Sequence, residues 1–270
     1  LFRESLDMLG AIYKDAHPSI ALGLNNLGNL YDIKGDYQKA EKHYLEALDL
    51  YREIYDADNF EIARVMNNLG NLYMKLGRME ESPEYFNKSL EIYNNLFEGD
   101  HLNKITTLFN IGSYYTYRKM YEKAEDYMTK ALDMCRRMSP VEDNSVCASC
   151  MIGLAGVYDS QEKFDLAEKY HKEALAIRER LFKRDHTDIM QSLNNLGIHY
   201  IKKGELRKAD SFLEECLAIT GRIYPDDHPK LAIACMNIGT LNHIINNAQK
   251  AEKYYGEGTK SFKNIIHNYF

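Results

Sequence analysis

The stretch Leu24–Tyr31, LNNLGNLY, decides the fold because close variants of it return along the whole chain. The variants read MNNLGNLY, LFNIGSYY, MIGLAGVY, LNNLGIHY and CMNIGTLN, and their last residues lie 42 or 43 residues apart. A second block, KAEKHYLEAL at residues 39–48, recurs in the same phase. A period of this length in a chain of 270 residues predicts an array of structural repeats rather than two separate domains.

Both blocks have the periodicity of an α-helix. Leu24, Leu27 and Tyr31 lie on one helical face, and a Gly-Asp pair at residues 35–36 separates this helix from the next one. Each repeat is therefore predicted to be a helical hairpin. A small residue recurs inside the apolar stripe of the first helix. Because glycine at such a position costs about 1 kcal/mol of helix propensity, its recurrence indicates that the second helix approaches closely there. These glycines are Gly28, Gly70, Gly112, Gly197 and Gly239, with Ala155 in repeat four.

The two blocks together resemble tetratricopeptide repeats, whose usual length is about 34 residues. The longer period here and the His-containing connectors, such as Asp227-His228-Pro229, are similar to the repeats of kinesin light chains. The resemblance implies an all-α fold, an α-solenoid in which helical hairpins form a right-handed superhelix. The residues that carry it in repeat one are Leu27, Gly28, Tyr31, Ala40, Tyr44 and Ala47.

The register divides the chain into six tandem repeats preceded by part of another. Residues 1–16 match the end of a second helix, so they are predicted to be the C-terminal part of a truncated repeat. Pro83 stands near the start of a second helix, which predicts that this helix begins late or bends. The six predicted repeats span residues 17–58, 59–100, 101–143, 144–185, 186–227 and 228–270.

Composition narrows the functional classes. The 34 Lys and Arg against 40 Asp and Glu give a net charge of −6, which argues against a general nucleic-acid binder. No apolar stretch is long enough for membrane insertion. The five cysteines are an odd number in a long chain and do not form a disulfide framework, so we predict a cytoplasmic location.

A column of asparagines recurs on the first helix of each repeat, opposite the apolar stripe. Stacked repeats would align this face into one continuous concave groove. Side-chain amides there could grip the backbone of an extended peptide, as matching positions do in similar proteins. The alternative is that the amides bridge adjacent repeats or bond to local carbonyl groups, and both roles can hold together. The column contains Asn26, Asn68, Asn110, Asn195 and Asn237, with Gly153 in repeat four.

Residues that differ from repeat to repeat on the same face are predicted to contact the side chains of the ligand and so to determine specificity. Kinesin light chains tend to carry basic residues at the position of Leu22, and here Arg64 alone keeps that feature. Preference for acidic peptides therefore stays open. The complete predicted groove comprises Asn26, Asn29, Arg64, Asn68, Asn71, Phe109, Asn110, Gln191, Asn195 and Asn237.

Catalytic, metal and cofactor chemistry is not predicted. Cys147 and Cys150 form a C-x-x-C pair, but their register positions are packing positions and no second pair exists. The histidines of the connectors share one loop or cap position, and His199 is read as isolated. We therefore expect no enzyme activity, no cofactor and no metal site.

The predicted function is a non-catalytic protein-interaction module, an adaptor or scaffold that binds a peptide or helical segment in its groove. One alternative is a peptide-sensing regulatory array that controls an effector domain outside this sequence. Another is a self-assembling scaffold, because apolar residues leave the two ends uncapped. These residues are Leu1, Phe2, Ile265, Ile266, Tyr269 and Phe270.

Overall fold

The computed structural model describes residues 16–138, 144–225 and 228–269, with side chains as far as residue 260. The predicted truncated repeat, apart from residue 16, lies outside these residues, as does Asp227. The side chains of the predicted apolar ends lie outside them as well.

Twelve α-helices and no strands form within the described ranges. The chain divides into two compact units, an N-terminal unit ending at Met138 and a C-terminal unit beginning at Ser139. The helices of the N-terminal unit are α1 (Pro18–Ile33), α2 (Tyr37–Ile54), α3 (Phe60–Lys75), α4 (Ser82–Leu96), α5 (Leu102–Tyr117) and α6 (Tyr121–Met138). Those of the C-terminal unit are α7 (Ser145–Ser160), α8 (Phe164–Leu181), α9 (Thr187–Lys203), α10 (Leu206–Ile223), α11 (Pro229–Ile244) and α12 (Ala248–Tyr269).

Each unit is a stack of helical hairpins. The two helices of a hairpin pack closely against each other, and the second helix also packs against the first helix of the following hairpin. Neighbouring first helices touch within a unit, at α1 and α3, α3 and α5, α7 and α9, and α9 and α11. This arrangement confirms the predicted all-α solenoid of helical hairpins and brings the asparagine columns of neighbouring repeats together within each unit.

The turn inside each hairpin needs one residue with left-handed backbone geometry. Gly35, Gly77 and Gly204 take this conformation, with φ between 75° and 82°. The three repeats without glycine use the same conformation, since Lys119, Glu162 and Asn246 have φ of 57° to 59°. The hairpin turn therefore persists where the sequence does not favour it, because the packing of both helices imposes it.

The small residues in the apolar stripe mark the contact between the two helices of a hairpin. A Cβ atom added to Gly28 would lie 2.5 Å from the ring of Tyr44, and one added to Gly70 would lie 2.6 Å from the ring of Phe86. The predicted close approach is thus confirmed. The partner is always the residue sixteen positions later, a large side chain that packs over the glycine; the remaining pairs are Gly112 with Met128, Gly197 with Leu213 and Gly239 with Tyr255.

The connectors act as helix caps, as their shared position predicts. The imidazole Nδ1 of His17, His101, His186 and His228 accepts a hydrogen bond of 3.2 Å from the backbone amide two residues later. The prediction for Pro83 is also confirmed. Helix α4 begins at Ser82, later than the register of the other second helices requires, with proline in its first turn.

Candidate functional site

The predicted groove residues lie along the first helices, and the five column asparagines are all half-buried. We call this surface the first-helix face and describe it for each unit separately. In the N-terminal unit, the amide nitrogen of Asn68 donates to the side-chain oxygen of Asn25 at 3.0 Å and to that of Asn29 at 3.3 Å. Both amide protons of Asn68 are used, which leaves its oxygen as an acceptor.

The same bridge recurs between other repeats. Asn110 donates to Asn67 at 3.1 Å, and in the C-terminal unit Asn237 donates to the side-chain oxygen of Asn194 at 2.6 Å. The alternative role, bridging adjacent repeats, is therefore realised at three positions of the column. Asn25 and Asn67 are buried one position before the column residues of repeats one and two. They are acceptors inside the stack.

Asn195 differs from the bridging asparagines. Its register partner in the preceding repeat is Ile152, which has no side-chain acceptor. Within the part of the chain that the structure describes, the half-buried amide of Asn195 forms no hydrogen bond. Asn26, on the first described helix, likewise has none. Their amides keep their full hydrogen-bonding capacity for a ligand.

Other predicted groove residues are more constrained than the sequence indicates. Arg64 forms an ion pair with Glu61 one turn earlier on the same helix, so its charge is neutralised locally. Asn29 accepts hydrogen bonds from the Tyr44 hydroxyl at 2.7 Å and from Asn68. Asn71 and Phe109 are half-buried on the same face of the N-terminal unit.

A buried arginine that the sequence reading missed lies behind the face of the C-terminal unit. Arg178 is 3% exposed, and its guanidinium donates to the Ser192 hydroxyl at 2.9 Å, the Gln191 side-chain oxygen at 3.3 Å and the Ser149 hydroxyl at 3.3 Å. Among the described residues no carboxylate pairs with it, and burial lowers the pKa of its guanidinium. The repeat register could have revealed Arg178, because repeats one and two have the aromatic residues Tyr51 and Tyr93 at the same position.

A pocket of about 200 Å³ opens beside Gln191, between α9 and α11. Thr220 lies in its wall at the register position that Arg178 fills in repeat four, so the smaller side chain leaves the space empty. Polar and apolar groups both line the pocket. Its walls comprise Thr187, Asp188, Met190, Gln191, Asn194, Cys216, Thr220, Lys230, Ile233 and Ala234.

The interpretation of His199 as an isolated histidine is wrong. Its Nδ1 lies 2.6 Å from Oδ1 of Asp159, and His171 Nε2 lies 3.0 Å from Oδ2 of the same carboxylate. All three side chains are buried, and their ligand-type atoms lie within 4.8 Å of one another. Burial alone would raise the pKa of Asp159, but the hydrogen bonds from both histidines lower it to about 2. The group has the composition of a metal site.

The interpretation of the C-x-x-C pair as packing residues holds only for Cys150, which is a free thiol, because Cys147 is disulfide-bonded. Cys147 and Cys150 are both buried, and burial raises the pKa of the Cys150 thiol to about 12. Cys216 and Cys235 are also buried thiols, with pKa values raised to about 11. Thiols of this kind are poor nucleophiles because the reactive species is the thiolate.

Stacked hairpins with a small residue at each helix contact define a helical repeat protein. The model of the tetratricopeptide repeat family matches residues 1–53, 61–137, 146–222 and 188–264. The chain therefore belongs to the tetratricopeptide repeat family. Proteins of this fold are generally non-catalytic interaction modules. No curated protein sequence matches the chain significantly.

Solved structures agree with this assignment of the fold. BtubC (BKLC) from P. vanneervenii is 19% identical over 92% of this chain and 93% of its own, with a TM-score of 0.66. A putative kinesin light chain of Podosopora anserina with nearly identical TPR-like repeats is 15% identical over 76% of this chain and 97% of its own, with a TM-score of 0.62. A Rap protein complexed with competence and sporulation factor is 17% identical over 97% of this chain and 79% of its own, with a TM-score of 0.66. At these identities the likeness concerns the fold alone.

Along the described residues, none of the helices combines the length and the apolar character needed to cross a membrane.

Proposed function

We propose that the chain is a non-catalytic adaptor or scaffold whose first-helix faces bind an extended or helical segment of a partner protein. The observation that carries this proposal is the pocket lined by Gln191 and Asn194 in the C-terminal unit, together with the unused side-chain amide of Asn195, the next residue on the same helix. In the N-terminal unit the proposed contacts are Asn26, Asn29, Arg64, Asn68, Asn71, Phe109 and Asn110. In the C-terminal unit they are Gln191, Asn195 and Asn237.

The amides on this face suit the backbone of a bound segment. An extended peptide presents N–H and C=O groups in alternation, and a side-chain amide can donate to one and accept from the other. Asn195 has both functions unused among the described residues, and Asn237 keeps its oxygen and one amide proton after bonding to Asn194. The face can therefore bind backbone groups without losing the bridges between repeats.

The pocket would supply side-chain selectivity. A volume of about 200 Å³ is large enough for one aromatic or branched aliphatic side chain. Met190, Ile233 and Ala234 provide apolar contact area, while Asp188 and Lys230 lie in the same wall. The Arg178 guanidinium bonds to the side-chain oxygen of Gln191, so the amide nitrogen of Gln191 is left for the ligand.

The comparison with a similar fold supports ligand binding of this kind. The Rap protein in the similar structure is complexed with competence and sporulation factor, so a protein with a similar fold provides a precedent for ligand binding. In this chain, the half-buried polar residues of the first-helix faces would make the contacts with the ligand.

Selection from a displayed peptide library tests the proposal. Peptides enriched on the wild-type chain should bind Asn195→Ala at least tenfold more weakly, a loss of about 1.4 kcal/mol. Thr220→Tyr should weaken them by at least as much, because it introduces the side chain found at Tyr51 and Tyr93 and fills the pocket. Affinities would be measured by fluorescence anisotropy with the selected peptides.

Ser211→Ala is the matched control, since Ser211 is exposed on the second helix α10 of the same unit. It should leave the affinity unchanged. Equal binding of the selected peptides to wild type, Asn195→Ala and Thr220→Tyr would place the binding surface elsewhere and overturn the proposal.

A further inference from the structure

The Asp159, His171 and His199 cluster departs from the repeat pattern at core positions. Where His171 lies, the other repeats have Tyr44, Phe86, Met128, Leu213 and Tyr255; where His199 lies, they have Leu30, Leu72, Tyr114, Val157 and Leu241. Both histidines are at least 97% buried, with exposures of 3% and 0%. Burying polar rings costs free energy that the apolar residues of the other repeats avoid, so packing alone does not explain this exchange.

The donor atoms are suited to a divalent transition-metal ion. Two imidazole nitrogens and one carboxylate oxygen are common ligands of Zn²⁺, which binds them at about 2.0–2.2 Å. Ligand atoms around a tetrahedral ion are then about 3.3 Å apart. His171 Nε2 and His199 Nδ1 lie 3.0 Å and 2.6 Å from the two Asp159 oxygens, and the ligand atoms of the three residues lie within 4.8 Å of one another, so they could converge on one ion after small side-chain shifts.

Unpaired nitrogens in the cluster provide a second observation. His171 Nδ1 and His199 Nε2 are buried and have no hydrogen-bond partner among the described residues. When the inner nitrogens bind a metal, each neutral ring carries its proton on the outer nitrogen. The outer nitrogen of His199 lies 4.0 Å from Oε2 of Glu168, too far for a hydrogen bond here, but a small shift of the ring would let it donate to this carboxylate, as metal-bound histidines commonly do.

We propose that Asp159, His171 and His199 bind one first-row divalent transition-metal ion, with Zn²⁺ as the preferred ion. The ligands come from α7, α8 and α9, so the ion would join both helices of repeat four to the first helix of repeat five. All three residues are more than nine-tenths buried. The ion would therefore fix the packing of these repeats rather than act on a substrate.

Metal titration of the full chain tests the site. After treatment with EDTA and dialysis, the protein would be titrated with Co²⁺, whose visible absorption reports tetrahedral nitrogen and oxygen ligands, and with Zn²⁺ in a calorimeter. One equivalent per chain is expected. A free Zn²⁺ concentration of 100 times Kd should raise Tm by about 5 °C. Absence of both the Co²⁺ absorption and the Tm shift would overturn the proposal.

The variant His199→Leu introduces the residue that repeats one, two and six have at this position, so the core should stay packed. It should abolish the Co²⁺ absorption and the Zn²⁺-dependent Tm shift. His243→Ile is the matched control, because His243 is exposed on α11 at the register position of Asp159 and Ile201. It should bind the metal as the wild type does.

The isosteric variant Asp159→Asn provides an independent measurement should His199→Leu unfold. It should weaken Co²⁺ binding at least tenfold, because it removes the anionic ligand. Undiminished binding by a folded His199→Leu or Asp159→Asn chain would show that the metal binds elsewhere and would overturn the proposal.

Discussion

The side-chain amide of Asn68 donates a 3.0 Å hydrogen bond to the side-chain oxygen of Asn25 in the preceding repeat. Asn25 is 1% exposed, so its oxygen has no access to water as an alternative partner. The bond therefore links neighbouring first helices. It also means that a residue on the predicted ligand face has a structural role.

Asn68→Ala should lower the free energy of unfolding by about 1–2 kcal/mol, because it leaves the buried oxygen of Asn25 without its partner. Asn195→Ala should change it by less than about 0.5 kcal/mol, since Asn195 has no hydrogen bond among the described residues. Urea denaturation followed by circular dichroism would compare the two variants. Equal destabilisation would contradict the structural role assigned to Asn68.

Gly197→Ala should destabilise the C-terminal unit by about 1–3 kcal/mol. Its new Cβ would lie 2.5 Å from Cγ and Cδ2 of Leu213, which is itself buried and unable to move far. Gly156→Ala is the control within the same unit, because its Cβ meets open space in the interior of a helix. The control should stabilise by about 0.5–1 kcal/mol through helix propensity. Thermal and urea denaturation of both variants would measure these opposite changes in the free energy of unfolding.

Glu162→Gly should stabilise the chain by about 0.5–1 kcal/mol. Glu162 has φ of 59°, a left-handed conformation that costs a non-glycine residue free energy, although glycine also makes the unfolded chain more flexible. The reciprocal variant, Gly204→Ala, places a side chain at φ of 82° in the equivalent turn and should destabilise by about 1 kcal/mol. A loss of stability in Glu162→Gly, measured by urea denaturation, would show that its side chain has a role beyond the turn.

Stability should fall at alkaline pH because two buried tyrosines must ionise. Burial, with a smaller contribution from Glu61, raises the pKa of Tyr51 to about 12, and burial also raises the pKa of Tyr93 to about 12. Their folded-state pKa values exceed the unfolded value of about 10, so their stabilisation is complete below pH 10 and is lost as the pH rises to about 12.

The double variant Tyr51→Phe and Tyr93→Phe should reduce this loss by about 1–2 kcal/mol for each residue. Free energies of unfolding at pH 8 and pH 11, with tyrosinate absorbance as the direct readout, would test the prediction. Tyr117→Phe serves as the control, since Tyr117 is 66% exposed. An equal alkaline loss in the double variant and in the control would assign the effect to other groups.

The fold followed from the sequence because the repeat is visible in it. Gly28 with Tyr44, and Gly35 in the turn, recur in register, and each hairpin contacts only its neighbours, so local pattern and tertiary packing agree. Even the replacements at Lys119 and Glu162 could be placed in the turn by counting from the glycines.

The roles of polar residues in the stack were harder to predict. The sequence identified the asparagine column, but whether Asn68 bonds to a ligand or to Asn25 depends on the distance between adjacent first helices. The same holds for Arg178, whose partners lie on α7 and α9. Alignment of the repeats shows that such residues differ from those at the same position in other repeats, but it does not show what they contact.

The sequence by itself therefore determined the class of fold, the hairpin turns and the face that each first helix presents, since these depend on spacing along one chain. Only the tertiary structure decided which asparagines remain available, where Thr220 leaves a pocket, and that His199 meets Asp159 and His171. These features arise between helices, where side chains distant in sequence come within a few ångströms and hydrogen-bonding capacity is either used or left over.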